Sequence, residues 1–107
     1  MPRYLIRASY SVEGVKGLLS KGGTARRDAI REAVGSVGGT LEAFYFAFGD
    51  DDAIILCDMP DHASAAAVSL AAGAGGGVSS TSTTVLLSPE EIDRASEIHA
   101  AYRPPGS

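Results

Sequence analysis

The chain is poor in the residues that disulfide-bonded and metal-binding proteins use. Its 107 residues include one cysteine, Cys57, and two histidines, His62 and His99. A single cysteine cannot form an internal disulfide, and Cys57 lies within an apolar run, which is typical of a buried, reduced thiol. The three residues do not have the spacing of zinc ligands. The sequence therefore predicts no metal site and no cofactor.

Long apolar runs and clustered positive charge are also missing. No stretch reaches the roughly 18 apolar residues of a membrane span, and MPRYLIRASYS becomes polar too early for a secretory signal. Nine basic and 13 acidic residues give a net charge of −4. This charge argues against nucleic acid or an anionic membrane as partner, because phosphate binding needs clustered Lys and Arg. We expect a cytoplasmic protein.

What is present is the composition of one small globular domain. Hydrophobic residues make up 45% of the chain and charged residues 21%, which is typical of a folded protein rather than a disordered one. A chain of this length has material for a single core. We predict one domain over residues 1–102 and a flexible tail at 103–107, where the sequence reads RPPGS.

Capping and glycine signals divide the chain into strands and helices. The clearest signal is SPEE, in which Ser88 is the N-cap, Pro89 the first helical residue and Glu91 the partner in a capping box. The first predicted helix follows Ser11 and carries an apolar stripe of Val12, Val15, Leu18 and Leu19. The predicted elements are a strand at 3–10, a helix from 12 that KGG breaks at 21–23, a helix capped by Thr24, strands at 40–48 and 53–59, a helix at 63–74, a strand at 78–87, and a last helix that carries His99 and Tyr102.

This order predicts an α+β fold of the ferredoxin-like βαββαβ type, with an antiparallel four-stranded sheet and an additional C-terminal helix. Helices cover one face of such a sheet. Both faces of the second strand are apolar, with Leu41, Ala43, Tyr45 and Ala47 opposite Phe44, Phe46 and Phe48. The third strand is similar. Since the open face also needs cover, we predict a homo-oligomer in which the sheet packs against another subunit.

Three consecutive aspartates, Asp50, Asp51 and Asp52, separate these two apolar strands. Aspartate favours turns because its side chain bonds the nearby backbone. Adjacent carboxylates on a strand point to opposite sides, and the run lacks the spacing of a calcium loop. We interpret it as a hairpin turn. The alternative is that Asp52 points into a pocket at the end of the sheet.

Arg26 and Arg27 follow a pair of glycines at the start of a predicted helix. Backbone N–H groups and guanidinium groups at such a place can hold a carboxylate or a phosphate. The segment has no GKS or GKT and is no phosphate-binding motif. The alternative is a solvated helix face on which the arginines pair with Asp28 and Glu32.

Three further residues are candidates for ligand contact. We predict that Tyr10 and Tyr45 line the open face of the sheet, where a phenol contacts a ligand or bonds across an oligomer interface. His62 lies at a helix start, either as a surface histidine or as a neutral acid or base. No Ser-His-Asp order is recognisable, so we assign no nucleophile.

Several segments resemble the GYD domain family, and together they cover about residues 1–95. They are YLIRASYS, GVKGLL, GGTARRDAI, VGSVGGTLEAFYFAFGDDDAIILCDMPD and TTVLLSPEEIDRA. The resemblance implies a dimeric α/β-barrel type of ferredoxin-like assembly, and it implies no settled activity. Asp51 stands where the tyrosine of the family's Gly-Tyr-Asp element is expected, so any role of that phenol is absent or moved.

The leading hypothesis is a small-ligand-binding homo-oligomer. Its expected ligand-binding residues are Tyr10, Arg26, Tyr45, Asp52 and His62. One alternative is a cofactor-independent monooxygenase-like enzyme in which His62 or Asp52 transfers a proton. Another is a purely structural or interaction protein whose sheet is covered by its twin. The doubly apolar strands fit all three hypotheses.

Overall fold

Four strands and four helices occur in residues 1–106, which a computed structural model describes. The two helices after the first strand replace the single helix of the simplest βαββαβ order. The elements are β1 (Arg3–Tyr10), α1 (Val12–Lys21), α2 (Gly23–Ser36), β2 (Thr40–Phe46), β3 (Ala53–Asp58), α3 (His62–Ala74), β4 (Val78–Leu86) and α4 (Pro89–Glu97).

The strands form one antiparallel sheet in the order β2-β3-β1-β4. β1 and β3 are the central strands and pair in register from Arg3 with Asp58 to Ala8 with Ala53. This topology is the ferredoxin-like arrangement and confirms the predicted fold class. No helix in residues 1–106 has the length and apolar character that crossing a membrane requires.

The core lies between one face of the sheet and the helices α2 and α3. Alternate residues of the central strands point into it, as the two-residue period of a strand requires. Val34 of α2 and Ala65 of α3 are the buried helix residues that pack against these strands. The buried strand residues are Tyr4, Ile6, Ala8, Ala53, Ile55 and Cys57. Cys57 is fully buried and unpaired, as predicted.

A β-bulge in β2 changes which side chains of that strand lie on each face of the sheet, so the predicted faces are corrected here. Leu41 pairs with Cys57, and the next pair joins Ala43 to Leu56, so one extra residue lies between them. An extra residue reverses the alternation of side chains. Leu41 therefore packs on the helix side with Phe44, and the prediction that it lies opposite Phe44 is wrong.

The predicted stripe of α1 is also wrong in part. Val12 and Leu19 are 70% and 82% exposed, and no residue of α1 is buried. Leu18 alone of the four is turned toward α2, and it lines the cavity described below. α1 lies at the end of the sheet rather than over it, so that only a narrow side of the helix finds packing partners.

The end of β2 and the start of α2 differ from the prediction. β2 ends at Phe46, the last residue that pairs with β3. Beyond it, the N–H of Ala47 donates to the carbonyl of Asp52 (2.9 Å) across the base of the turn, and Phe48 is fully exposed. α2 begins at Gly23 with Gly22 as its N-cap, so Thr24 lies in the first turn and is not the cap.

The last helix is shorter than predicted. It ends at Glu97, with extended backbone at Ile98, so His99 and Tyr102 lie beyond it. No residue of α4 is buried. A helix of about two turns without packing partners gains too little stability to extend, even though Ala100 and Ala101 follow. Its start is as predicted, since Ser88 and Glu91 form both bonds of the capping box, each 3.1 Å long.

Candidate functional site

A cavity of about 260 Å³ opens between α1 and α2, beyond the end of β1. Its residues come from the end of β1, one side of α1, the first turns of α2 and the loop before β4. The lining residues are Tyr10, Gly14, Gly17, Leu18, Lys21, Gly22, Ala25, Arg26, Ala29 and Gly77. Two of the five predicted ligand-binding residues, Tyr10 and Arg26, are among them.

Tyr10 and Arg26 contact each other at the floor of the cavity. The guanidinium carbon of Arg26 lies 5.8 Å from the ring centroid of Tyr10, within the range of a cation–π interaction. Phe46 lies behind Tyr10, with the ring centroids 6.5 Å apart. Tyr10 continues the inward series of β1 after Tyr4, Ile6 and Ala8. The prediction that Tyr10 lines the open face is therefore wrong.

A smaller internal space of about 30 Å³ lies between the sheet and the helices. Tyr10 and Arg26 border this space as well as the larger cavity. Its other lining residues are mainly core side chains, such as Ile30, Phe44 and Val68. The Tyr10–Arg26 pair therefore separates the apolar core from the cavity.

Glycines form much of the wall of the cavity. Gly14 is required by close packing, because a Cβ there would lie 1.9 Å from the carbonyl oxygen of Gly77. Gly22 has φ +90°, which other residues rarely adopt. A Cβ at Gly17 meets no atom within 4 Å. Part of the wall is thus bare backbone, and two of its four glycines are required, one by packing and one by its backbone conformation.

Ser11 fixes the position of α1 against β4. Its side chain caps the helix by accepting from the N–H of Gly14 (3.1 Å), and it donates to the carbonyl of Gly76 (2.6 Å). Its backbone N–H donates to Gly77 O (3.1 Å). These bonds hold the first turn of α1, which carries Gly14, next to the loop that carries Gly77.

The two arginines of α2 have different environments. Arg26 turns into the cavity, and its Nε is buried with no hydrogen-bond partner among the described residues. Arg27 lies on the solvated side and pairs with Asp28 at 3.2 Å. Arg26 therefore faces the cavity, whereas the solvated-face interpretation applies to Arg27.

The aspartate run forms the turn between β2 and β3. Oδ2 of Asp52 accepts a hydrogen bond from the backbone N–H of Tyr10 (2.8 Å), and the Asp52 N–H donates to Ala8 O (2.9 Å). Oδ2 of Asp51 lies 3.6 Å from Nε of Arg7. Asp52 does not line the cavity, but it holds the end of the strand that carries Tyr10.

Tyr45 and His62 lie apart from the cavity. Tyr45 is on the open face, as predicted, and is 68% exposed. His62 is at the start of α3, where its Nδ1 shares a 2.5 Å hydrogen bond with the hydroxyl of Tyr4. Burial raises the pKa of the Tyr4 phenol, and the nearby Asp61 adds to the effect. The five predicted residues do not form one site.

Sequence reasoning missed most of the cavity lining. Gly14, Gly17, Leu18 and Lys21 recur three or four residues apart, which places them on one side of a helix. That spacing was a usable signal. The Tyr4–His62 bond and the Gly14–Gly77 contact join residues 58 and 63 positions apart and have no local signal. No group of three or more His, Cys, Asp or Glu side chains in residues 1–106 is arranged to hold a metal ion.

The topology and the cavity define a class of protein: a ferredoxin-like α+β domain with a pocket between its first two helices and the end of its sheet. The family model of the GYD domain matches residues 4–96, and the chain belongs to the GYD domain family. A comparison with curated proteins finds no match.

Proposed function

We propose that the protein is a cytoplasmic homo-oligomer that binds a small, partly apolar ligand in the cavity above Tyr10 and Arg26. The observation that carries this proposal is the cavity itself, whose wall is partly glycine backbone and whose floor is the Tyr10 ring with the Arg26 guanidinium group. Ligand sites are commonly concave and largely apolar, with a few polar groups that orient the ligand. This cavity fits that description.

The cavity favours binding over the enzyme alternative. Asp52 and His62, the proton-transfer groups of that alternative, do not line it. Asp52 is engaged with backbone N–H of Tyr10, and His62 lies at the start of α3 with Tyr4 as its partner. A proton-transfer group must come within hydrogen-bond reach of the substrate. Neither group stands where a ligand of this cavity would be.

The open face of the sheet supports the homo-oligomer. It presents Leu5, Ile54, Leu56 and Tyr45, and the charged side chains among them are already paired. Arg3 Nε lies 2.9 Å from Asp58, and Arg7 Nε lies 3.6 Å from Asp51. Paired charges cost less to cover than lone ones. A second copy of the same face is the occupant that a two-fold axis would supply.

The unpacked C-terminal segment supports the same assembly. Ile92 of α4 is 51% exposed, and Leu87 and Ile98 on either side of the helix are 58% and 72% exposed. A capped helix with exposed apolar residues gains stability from packing against another surface. The second subunit is the partner that we propose for it.

Native mass spectrometry of the protein purified without added ligand tests both parts. We expect a multiple of the chain mass plus a retained small molecule, which denaturation releases. The test variant is Gly17→Leu, which adds a side chain at the cavity lining where a Cβ meets no atom. It should assemble equally and retain less ligand. Exact multiples of the chain mass would favour the structural alternative, and a monomer would refute the oligomer.

A further inference from the structure

We infer that the cavity above Tyr10 and Arg26 selects an organic anion, whose carboxylate or phosphate group binds Arg26 and Lys21 while its apolar part lies against Tyr10 and Leu18. The inference rests on the proposed ligand binding and adds the chemical class of the ligand. It is drawn from the charge of the lining, the state of the Arg26 side chain and the size of the space.

The lining is basic in an acidic protein. The chain has a net charge of −4, yet the residues around the cavity include Lys21 and Arg26 and no aspartate or glutamate. Neither side chain forms an ion pair with another described residue, whereas Arg27 and Arg31 of the same helix both pair with Asp28. A concave site lined by one sign of charge concentrates ions of the other sign.

The Arg26 side chain lacks a partner that an anion would supply. Its Nε is buried and makes no hydrogen bond to the described residues. The guanidinium group therefore has hydrogen-bonding capacity that the described residues leave unused, and a bound anion can accept bonds from its Nη groups. The planar guanidinium group also matches carboxylate and phosphate oxygens in a two-bond arrangement, and Tyr10 limits its movement from one side.

The start of α2 adds to this preference without defining the site. α1, α3 and α4 are capped by side-chain oxygens of Ser11, Asp61 and Ser88. α2 has Gly22 at this position and no side-chain cap, and Gly22 lines the cavity. The positive end of the helix dipole therefore lies at the edge of the same space as Arg26 and Lys21.

The dimensions limit the ligand to a small molecule. The cavity of about 260 Å³ lies below the range of roughly 300–1,000 Å³ that is usual for drug-sized ligands. Apart from the two cations its lining is apolar or backbone, with Leu18, Ala25 and Ala29 beside Tyr10. A short aliphatic or single-ring acid, or a phosphate monoester of similar size, has the matching chemistry.

The test compares three probes that share one apolar chain: hexanoate, hexyl phosphate and the neutral hexanamide. Each is titrated into the full ¹⁵N-labelled chain, purified by unfolding and refolding to remove retained ligand. The amide signals of Gly14, Gly17 and Gly77 report on the cavity. We expect one or both anions to shift these signals and to bind at least about tenfold more tightly than hexanamide, as a charge-assisted bond implies. The preferred anion tells a carboxylate from a phosphate ligand.

Variants assign the effect to the two cations. Arg26→Gln and Lys21→Gln should each weaken anion binding, with Arg26→Gln losing about tenfold or more and hexanamide binding unchanged. The matched controls are Arg31→Gln and Lys16→Gln, which remove exposed cations from the same two helices. They should bind the anions as the parent chain does. If Arg26→Gln fails to fold, the comparison of hexanoate with hexanamide on the parent chain still decides.

The possible failures are distinguishable. Equal binding of hexanamide and the anions at the glycine wall would overturn the anion inference and leave the proposed ligand binding standing. Retention of a neutral compound in native mass spectrometry would do the same. Equal losses in Arg26→Gln and Arg31→Gln would mean general attraction by charge and would also overturn it. If no probe binds and no compound is retained, the inference and the proposed function both fail.

Discussion

The backbone N–H of Tyr10 donates a 2.8 Å hydrogen bond to Oδ2 of Asp52, 42 residues further along the chain. This bond joins the last residue of β1 to the turn between β2 and β3. The turn thereby fixes the residue that forms the floor of the cavity, although none of the aspartates lines it.

Asp52→Ala should lower the free energy of unfolding by about 1–3 kcal/mol, because it leaves a half-buried N–H without its acceptor. Asp50→Ala changes an exposed aspartate of the same turn whose side chain makes no hydrogen bond or ion pair to the described residues, and it should alter the free energy of unfolding by no more than about 0.5 kcal/mol. Urea unfolding followed by circular dichroism measures both. Equal losses of unfolding free energy in the two variants would show that the hydrogen bond between Tyr10 and Asp52 does not stabilise the fold.

The Gly14–Gly77 contact predicts opposite effects of two similar substitutions in α1. Gly14→Ala should destabilise the fold by about 1–3 kcal/mol, since its Cβ would meet the Gly77 carbonyl oxygen at 1.9 Å. Gly17→Ala should stabilise it by about 0.5–1 kcal/mol through helix propensity, because its Cβ has open space. Thermal unfolding of the two variants decides, and a stabilised Gly14→Ala would contradict the packing.

The Cys57 thiol should be inert in the folded protein. It is fully buried, and burial, with a smaller effect of Asp58, raises the pKa of the thiol, so the reactive thiolate is suppressed. A disulfide reagent such as dithionitrobenzoate should label no thiol under native conditions and one per chain in denaturant. Rapid labelling of the native protein would contradict the burial of this strand.

The folded protein should lose stability in acid, because two of its carboxyl groups have lowered pKa values. The hydrogen bond from Arg3 lowers the pKa of Asp58, and the backbone N–H of Ser64 lowers the pKa of Asp61, both from an ordinary value of 3.8. Each contribution is present above that value and is lost as the pH falls through the lowered pKa. The free energy of unfolding of Asp58→Asn should therefore depend less on pH between 5 and about 2. An unchanged slope would exclude Asp58 as a source.

The proposed sheet-to-sheet assembly predicts the effect of a charge on the open face. Tyr45→Arg should shift the protein to monomers in light scattering, because an unpaired charge would enter the interface. Leu70→Arg, at a residue of α3 that is 74% exposed and on the other side of the molecule, is the matched control and should leave the mass unchanged. Dissociation of both variants would point to general charge repulsion instead.

Local signals predicted the parts of the fold that depend on neighbours in the sequence. The capping box of Ser88 and Glu91 and the turn of three aspartates form as predicted, since both rest on contacts within a few residues. The bulge after Leu41 was not predictable from alternation, because it appears only when β2 is paired with β3. Arg26 and Tyr10 were each candidates, but their contact depends on how α2 crosses the sheet.

The cavity could be predicted only in fragments for the same reason. The side of α1 that carries Gly14, Gly17 and Lys21 follows from helical spacing, but its direction depends on the approach to Gly77. The exposed Val12 and Leu19 show the limit of apolar periodicity, which assigns a stripe to the core even where a helix lies beyond the sheet.

The glycines that line the cavity differ in how well they tolerate substitution, and this difference has an evolutionary consequence. Gly14 is held by the nearness of Gly77, and Gly22 by its positive φ, so substitutions at either place disturb the backbone. Gly17 carries neither constraint. A single codon change at Gly17 can therefore shrink or reshape this space while the scaffold stays intact.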